Sequence, residues 1–474
     1  MVFSSLFFIY FFLPLNLIFY HRAKDRKTQN WIMLTFSLTF YSWNGPQYLI
    51  LITSMTLIAW LAGLAFARYR HHTKLILYGA IGSLLAILGF FKYTGFFLET
   101  INFISPLNLK IPDIVLPIGI SFYTFQLISY VVDVYKGEVQ AQTHYANLLL
   151  YASLFHQCIA GPIVRYKDIA NDILNRKIYI SEVKQGIKRF CYGLAKKAIL
   201  ANGLANIADD YLITDNYKAL LAQPAAALWL GSLAFCLQIY FDFSAYSDMA
   251  IGMGLMTGFH YKENFNYPYI AKSITDFWRR WHISLSSFFR DYVYIPLGGN
   301  RHGNVYMNLL VVWLLTGMWH GASWNYILWG LYYYAFICLE KKHLSERLPT
   351  WPKALAWLYT MSVVLFGWVI FKFENLEFLL RAVMGLFGLN GNGFSDTQVY
   401  LTLKNNIFLL LFAILAAGRP FRACHERLSR RYSYSLLFRK ILYFYEAIIP
   451  WGLLILSSLA LIGNSYNPFL YFQF

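Results

Sequence analysis

Long apolar runs separated by short polar segments make up most of the chain and predict a protein with many membrane-spanning helices. The first run, residues 1–20, ends in a basic cluster at 22–27. It has neither the positive start nor the small-residue cleavage site of a signal peptide, so we expect it to stay as a first helix with its N-terminus outside. The runs 31–43 and 47–67 flank an Asn-Gly-Pro turn signal at 44–46 and predict a helical hairpin.

Further apolar runs predict the remaining crossings and bring the expected total to roughly ten to twelve transmembrane or re-entrant helices. They lie at 75–91, 118–135, 145–163, 225–259, 306–320, 323–339, 354–371, 406–417 and 441–462. Several runs are shorter than the ~20 residues of a full span, which indicates tilted, partial or re-entrant helices. Because no linker divides the chain, we predict one all-α polytopic membrane domain over residues 1–474.

Two stretches are expected to lie outside the core of the bilayer. Residues 96–117 contain three prolines and predict an outer loop with an interfacial helix. Residues 165–197 are basic and amphipathic, which is typical of a helix on the anionic cytoplasmic surface.

The composition excludes a soluble protein. Hydrophobic residues make up 58% of the chain and charged residues only 13%, too few to cover a soluble surface. Lys and Arg number 40 and Asp and Glu 23, so the net charge is +17. Most basic residues lie in clusters at 22–27, 68–74, 165–197, 262–301, 341–353 and 419–440. Cytoplasmic loops carry such an excess, whereas nucleic-acid binding needs one basic face, so we expect no nucleic-acid partner.

The cysteines indicate neither a disulfide framework nor a metal site. They are five, widely spaced, and no two form a CxxC pair. No combination of His, Cys and Glu has the spacing of metal ligands, and we expect no metal.

His320 is the strongest candidate for catalysis among eleven histidines. It ends an apolar run in the string TGMWHGASW, with Gly317 and Gly321 beside it. The glycines let other backbone or a ligand come close, and an imidazole can take up and return a proton near neutral pH. Acyl transfer to a hydroxyl needs such a base. The alternative is a neutral histidine that only forms a hydrogen bond between helices.

The polar block at 264–301 is the second candidate region. Ser273, followed by Asp276, predicts a helix N-terminus, and we expect that helix to carry Trp278 through His282. Arg279 and Arg280 lie beside two tryptophans, a combination that suits phosphate binding and stacking on a purine. An interface helix with its Arg side chains extended toward water explains the same pattern.

Asp242 and Asp248 lie inside the apolar run 225–259 and form the third candidate group. Carboxylates within a membrane span occur in proton or ion pathways. They also form polar contacts between helices, and we favour this second interpretation.

Three long strings resemble the membrane-bound O-acyltransferase family. They are QIYFDFSAYSDMAIGMGLMTGF, ENFNYPYIAKSITDFWRRWHISLSSFFRDYVYIPLGGNR and GMWHGASWNYILWG. The bacterial branch that includes the alginate O-acetylase and peptidoglycan O-acetyltransferase membrane subunits is most similar. The opening MVFSSLFFIYFFLPL and the ending NPFLYFQF are similar as well, so the likeness covers almost the whole chain.

The resemblance implies a fold and a set of site residues. The family's helices surround a central tunnel that runs from the cytoplasmic face to an outer funnel. Its catalytic histidine falls on His320 and its second histidine on His282. Arg279, Arg280 and Trp281 are then expected to bind the coenzyme.

The resemblance also implies the activity: transfer of acetyl from cytoplasmic acetyl-CoA across the bacterial inner membrane, for O-acetylation of an exported polysaccharide such as alginate or peptidoglycan. A periplasmic esterase-like protein is the expected partner. Two alternatives stay open: D-alanyl transfer by the same fold, and a proton-coupled transporter that uses Asp242 and Asp248.

Overall fold

The computed structural model describes residues 1–43, 45–158, 161–432, 435–462 and 469–470. Over these ranges the protein is all-helical, as predicted. The α-helices are α1 (Leu13–Arg22), α2 (Arg26–Ser42), α3 (Tyr48–Arg68), α4 (Thr73–Ile104), α5 (Ile120–Tyr135), α6 (Tyr145–Ser153), α7 (Tyr166–Asn175), α8 (Ile180–Ala195), α9 (Asn202–Tyr211), α10 (Tyr217–Leu221), α11 (Ala225–Thr257), α12 (Ile274–Arg280), α13 (Ile283–Phe289), α14 (Val305–His320), α15 (Trp324–Leu339), α16 (Lys353–Lys372), α17 (Leu376–Leu386), α18 (Thr397–Ala417), α19 (Pro420–Arg431) and α20 (Leu436–Ile462).

Some features of the sequence lie outside the described residues. Asn44, which starts the predicted turn signal, is one of them, and so are residues 159–160 of the predicted run 145–163. Of the C-terminal string NPFLYFQF, the structure describes Phe469 and Leu470.

Two compact units make up the chain. The first consists of Met1–Phe190, Tyr246–Glu263 and Ser287–Val293. The second consists of Cys191–Ala245, Asn264–Ser286 and Tyr294–Phe474. Helix α11 contributes residues to both.

Six of the described helices are long and apolar enough to cross a membrane: α3, α4 with the turn before it, α11, α16, α18 and α20. Helix α14 is apolar but has only 16 residues. The expected short segments are therefore present, while the total of ten to twelve crossings stays a prediction. Helix α4 runs on to Ile104, into the stretch predicted as an outer loop, because its apolar pattern continues past residue 91.

Burial separates the central from the peripheral long helices. In α11, 83% of the apolar window is buried by protein, whereas in α4 and α18 the value is 17%. A helix that is apolar on all sides can be covered by protein or by lipid. We conclude that α11 is packed inside protein, whereas most of the apolar window of α4 and of α18 is not covered by protein.

Aromatic side chains form much of the core of the first unit. Phe155 lies edge-on to Phe12, with ring centroids 5.4 Å apart, and to Phe8 at 6.1 Å. Phe40 contacts the same three rings. Edge-to-face pairs add about 0.5–1.5 kcal/mol each beyond the area they bury.

The basic stretch 165–197 differs from the single surface helix that was predicted. It forms α7 and α8, separated at residues 176–179, and continues into a π-helical segment, Lys196–Ala201. Tyr166, Ile169 and Ile173 of α7 are buried, and so is Arg176 at its C-terminal end, which is 2% exposed. The apolar side of α7 is therefore covered by protein.

Helices α14 and α15 form the predicted hairpin, and glycines bring their backbones together. A Cβ atom added at Gly317 would overlap the carbonyl oxygen of Tyr326, and one added at Gly330 would overlap the carbonyl oxygen of Trp313. A Cβ atom at Gly321 would overlap the ring of Tyr326. The close approach predicted at Gly317 and Gly321 is confirmed, and it is the partner helix that fills the space.

Gly317→Ala is expected to lower the melting temperature of the purified protein, because the methyl group meets fixed backbone of α15. Overpacking of this kind costs about 1–3 kcal/mol. The matched control is Gly82→Ala in α4, where a Cβ atom would meet open space. There alanine favours the helix by about 1 kcal/mol, so no loss is expected. Equal melting temperatures for the two variants would contradict the packing described here.

Candidate active site

His320 is the last residue of α14 and lies within a ring of aromatic side chains in the second unit. It is 4% exposed. Its imidazole is nearly perpendicular to Trp329 and Phe371, at centroid distances of 4.8 and 5.2 Å. The helix ends here because Gly321 takes an extended conformation. His320 is thus held at a helix end in surroundings that exclude bulk water.

A cluster of large aromatic side chains fixes α12 against the α14–α15 hairpin. Trp278 of α12 packs edge-on against Trp313 of α14 at 5.0 Å. On α15 it contacts Trp329 at 5.5 Å and Tyr333 at 4.8 Å. Trp329 also contacts His320. The aromatic cluster therefore links α12 to the candidate base through Trp329.

His282 does not lie on the helix that was predicted to carry it. Ser273 caps that helix as expected, and its Oγ accepts a hydrogen bond from the N–H of Asp276 at 2.9 Å. However, α12 ends at Arg280 and α13 begins at Ile283. His282 lies between them with φ +43°, in the left-handed region that non-glycine residues rarely occupy. The prediction of one continuous helix through His282 was wrong.

Asn264 is the reason why the chain can break at His282. Its backbone carbonyl accepts a hydrogen bond from the N–H of Ile283 at 2.9 Å. Its side-chain Oδ1 accepts hydrogen bonds from the N–H and the hydroxyl of Ser284, at 3.2 and 2.9 Å. Asn264 is 1% exposed. One buried asparagine therefore replaces the helical hydrogen bonds that the break removes.

The same asparagine sets the tautomer of His282. Its Oδ1 lies 3.1 Å from Nδ1 of the imidazole. Because the N–H of Ser284 already requires an acceptor at this atom, Oδ1 is oxygen and Nδ1 of His282 carries the proton. In a neutral imidazole Nε2 then holds the lone pair. Sequence reasoning missed Asn264, whose only signal was its place at the start of the polar block.

The two candidate histidines share one neighbour. The indole of Trp319 lies 4.9 Å from the ring of His320 and 5.7 Å from the ring of His282. Phe243 lies edge-on to His282, with ring centroids 4.6 Å apart. Both imidazoles are thus buried around a single tryptophan, and the structure brings together the two residues that were predicted separately.

The three predicted coenzyme residues have different surroundings. Arg279 is exposed and lines a cavity of about 660 Å³. Arg280 forms an ion pair with Asp276 at 2.9 Å. Trp281 is 1% exposed and packs against Trp368 at 4.7 Å. Only Arg279 is among the residues that line the cavity.

The cavity beside Arg279 carries more positive than negative charge. Its basic residues are Lys272, Arg279, Lys341 and Lys353, and its acidic residues are Asp276 and Glu340. The carboxylate of Glu340 is occupied, since it accepts from the N–H and the hydroxyl of Thr275 at 3.0 and 2.7 Å. A cavity of this size suits a small-molecule ligand, and its charge favours an anion.

The second unit also contains a smaller polar cavity, of about 310 Å³. Lys197 and Asp242 lie in its wall as a buried ion pair, with Nζ and Oδ1 2.6 Å apart. Asp209 and Lys372 form a second ion pair in the wall at 2.7 Å, and Gln238 contributes an amide. Amide and carboxylate side chains of this kind suit a ligand rich in hydroxyl groups.

Both intramembrane aspartates are paired. Asp242 pairs with Lys197 in the second unit, and in the first unit Asp248 pairs with Arg189 at 2.9 Å. Arg189 also bonds to Glu263. This arrangement favours the interpretation of the aspartates as polar contacts between helices. Over the described ranges, no three His, Cys, Asp or Glu side chains cluster as metal ligands.

Comparison with known proteins gives a consistent result. The sequence profile of the membrane-bound O-acyltransferase family, MBOAT, matches residues 138–383, which include Asn264, His282 and His320. The probable alginate O-acetylase AlgI of Pseudomonas putida is 39% identical and covers 100% of both chains. The peptidoglycan O-acetyltransferase of Helicobacter pylori is 33% identical over 90% of this chain and 87% of its own. The teichoic acid D-alanyltransferase of Bacillus subtilis is 30% identical over 54% of this chain and 68% of its own.

Asn264→Ala is expected to lower the melting temperature of the purified protein, because it leaves the buried Nδ1–H of His282 and the partly buried donors of Ser284 without their acceptor. Each buried donor left unpaired costs about 1–3 kcal/mol. Asn266→Ala is the matched control, since Asn266 is exposed and uses its backbone N–H to bond to the carbonyl of Arg280. A loss of similar size in both variants would argue against the role of Asn264.

Proposed function

This chain belongs to the membrane-bound O-acyltransferase family, and we propose that it transfers an acetyl group from acetyl-CoA to a hydroxyl acceptor for O-acetylation of an exported polysaccharide. The observation that carries the proposal is the burial of His282 and His320 around Trp319. The segment that holds them is the one that the family profile matches. Two imidazoles in a protected site suit a reaction that moves a proton to and from a hydroxyl.

Acetyl transfer is better supported than D-alanyl transfer. The Pseudomonas putida relative, named as an alginate O-acetylase, aligns over the whole of both chains. The Helicobacter pylori relative, named for peptidoglycan, aligns over 90% of this chain. The teichoic acid D-alanyltransferase aligns over only 54%. The proposed acceptor polymer is therefore alginate or peptidoglycan, the two that these names suggest.

In the proposed reaction His320 acts as the general base. It removes the proton of the acceptor hydroxyl while the oxygen attacks the thioester carbonyl. The resulting tetrahedral intermediate collapses, the carbon–sulfur bond breaks, and the protonated His320 returns the proton to the departing thiolate. The products are the acetyl ester and coenzyme A, so the base is restored after each cycle.

His282 is proposed to position the reacting groups. Asn264 holds its Nδ1–H, so that Nε2 is the nitrogen that can accept a hydrogen bond from a substrate hydroxyl. An imidazole held in this way loses less conformational entropy when substrate binds than a freely rotating one, because its orientation is already set. This gives His282 a role different from that of His320, although both are histidines against the same indole.

The proposed donor site is the cavity beside Arg279. Coenzyme A carries several phosphate groups, and Arg279 with Lys272, Lys341 and Lys353 supplies positive charge for them. These residues belong to basic clusters that the charge bias assigns to the cytoplasm, where acetyl-CoA is made. Arg280 is paired with Asp276 and Trp281 is buried. We propose that these two residues stabilise the fold around the cavity.

The proposed acceptor enters from the opposite side of the bacterial inner membrane. In the polar cavity of the second unit, the amide of Gln238 and the paired carboxylates of Asp209 and Asp242 suit a sugar or a serine of a carrier protein. A periplasmic esterase-like partner is the expected carrier. The genes next to this one should encode it.

His320→Ala is expected to abolish acetyl esters on the exported polysaccharide, because removal of a general base costs about 10²–10⁴-fold in rate. The measurement is ester content by mass spectrometry, with the amount of protein in the membrane fraction quantified in parallel. His343→Ala, at an exposed histidine, is the control and should retain wild-type acetylation. Normal acetylation by a stably expressed His320→Ala protein would rule out the catalytic role.

Arg279→Gln is expected to raise the KM for acetyl-CoA about tenfold and to leave kcat within about twofold, because the lost contact is made equally in ground and transition states. The control is Lys342→Gln, which removes an exposed charge next to Lys341 that does not line the cavity. An unchanged KM for acetyl-CoA in Arg279→Gln would show that the donor binds elsewhere.

A further inference from the structure

The first unit contains a cavity of about 390 Å³ where α2, α6 and α7 pack together. Arg26 and Lys27, which begin α2, line it together with His144. Trp31 and Leu174 line it as well, and these two apolar side chains are 52% and 51% exposed. The cavity therefore combines basic residues with exposed apolar side chains.

Carboxylates do not neutralise these basic residues. None is among the described residues that line the cavity. The nearest acidic residue in sequence, Asp25, caps α2, and its carboxylate accepts from the N–H and the hydroxyl of Thr28 at 2.8 and 2.7 Å. Arg26 donates to the neutral amide of Gln29 at 2.6 Å. The charge of Arg26 and Lys27 is therefore available to a ligand.

A third cation forms a hydrogen bond to a residue that lines the cavity. Arg176 is 2% exposed and donates to Tyr20 and to Asn30, at 2.7 Å each. Asn30 in turn lines the cavity. Within the described ranges Arg176 forms no ion pair, and its Nη2 has no hydrogen-bond partner. A buried guanidinium without a counter-ion is costly, and a nearby anion would offset part of that cost.

The ligand that fits both the basic and the apolar residues is amphipathic and anionic. Basic pockets between helices near the cytoplasmic surface bind anionic headgroups, and tryptophan prefers the same interfacial depth. A soluble phosphate compound would use the basic residues but would leave Trp31 and Leu174 uncovered. We propose that this cavity binds the phosphate headgroup of an anionic phospholipid, whose acyl chains lie along Trp31 and Leu174.

This lipid site does not depend on the proposed acetyl transfer, because its residues take no part in that reaction. Bound lipid would join α2, α6 and α7 through one shared ligand. The consequence is a protein whose first unit is more stable in a bilayer that contains anionic lipid than in one that lacks it.

The test titrates the full-length purified protein with dioleoyl-phosphatidylglycerol and, separately, with dioleoyl-phosphatidylcholine, and counts bound lipid by native mass spectrometry. We expect specific binding of the first lipid only. Arg26→Gln with Lys27→Gln should weaken it about thirtyfold at low ionic strength, from about fivefold for each basic residue near a headgroup. The matched control, Arg22→Gln with Lys24→Gln, removes the same charge from the same cluster but outside the cavity, and should change binding less than twofold.

Two further measurements make the result decisive. Leu174→Asn should weaken phosphatidylglycerol binding, while coenzyme A and inorganic phosphate should not displace the lipid. Equal weakening in the two double variants would overturn the proposal in favour of diffuse surface charge. Displacement by coenzyme A or phosphate would overturn it in favour of a soluble ligand. Melting temperatures of all variants without added lipid show that each one is folded.

Discussion

Buried backbone groups must find hydrogen bonds within the protein, and the second unit meets this demand at both ends of α12. At its start, the buried carboxylate of Glu340 accepts from the N–H groups of Ile274 and Thr275. At its end, Asn264 bonds to the chain on the far side of the break. Without these two side chains a seven-residue helix followed by a left-handed residue would be too costly to bury. The position of His282 depends on both.

Aromatic packing then fixes α12 relative to α14 and α15. Trp278 connects α12 to the hairpin, and Trp329 carries the contact on to His320. Rings of this size bury large areas, and they lose little side-chain freedom because only two torsion angles define them. The surrounding aromatic side chains therefore hold the two histidines in place, although neither histidine lies in the middle of a long helix.

Sequence patterns predicted the helices well and their breaks poorly. The cap at Ser273, the α14–α15 hairpin and the close approach at Gly317 follow from local rules, so they could be predicted. The break at His282 could not, because the residue that makes it possible is Asn264, 18 positions away. The same limit applies to charge. Arg279 and Arg280 are adjacent and look equivalent in sequence, yet only the fold decides that Arg280 pairs with Asp276. Arg176 looked like one more surface cation, and its burial depends on Tyr20 and Asn30 from other helices.

The glycine contacts between α14 and α15 also restrict how the second unit can move. At Gly317 and Gly330 the two helices meet backbone to backbone, so no long side chains lie between them that could change rotamer and let one helix slide past the other. A hinge between them would open a void on one side and create a clash on the other. Any motion that admits or releases a ligand near His320 therefore carries the hairpin as one rigid body, and the flexibility must come from the elements around it.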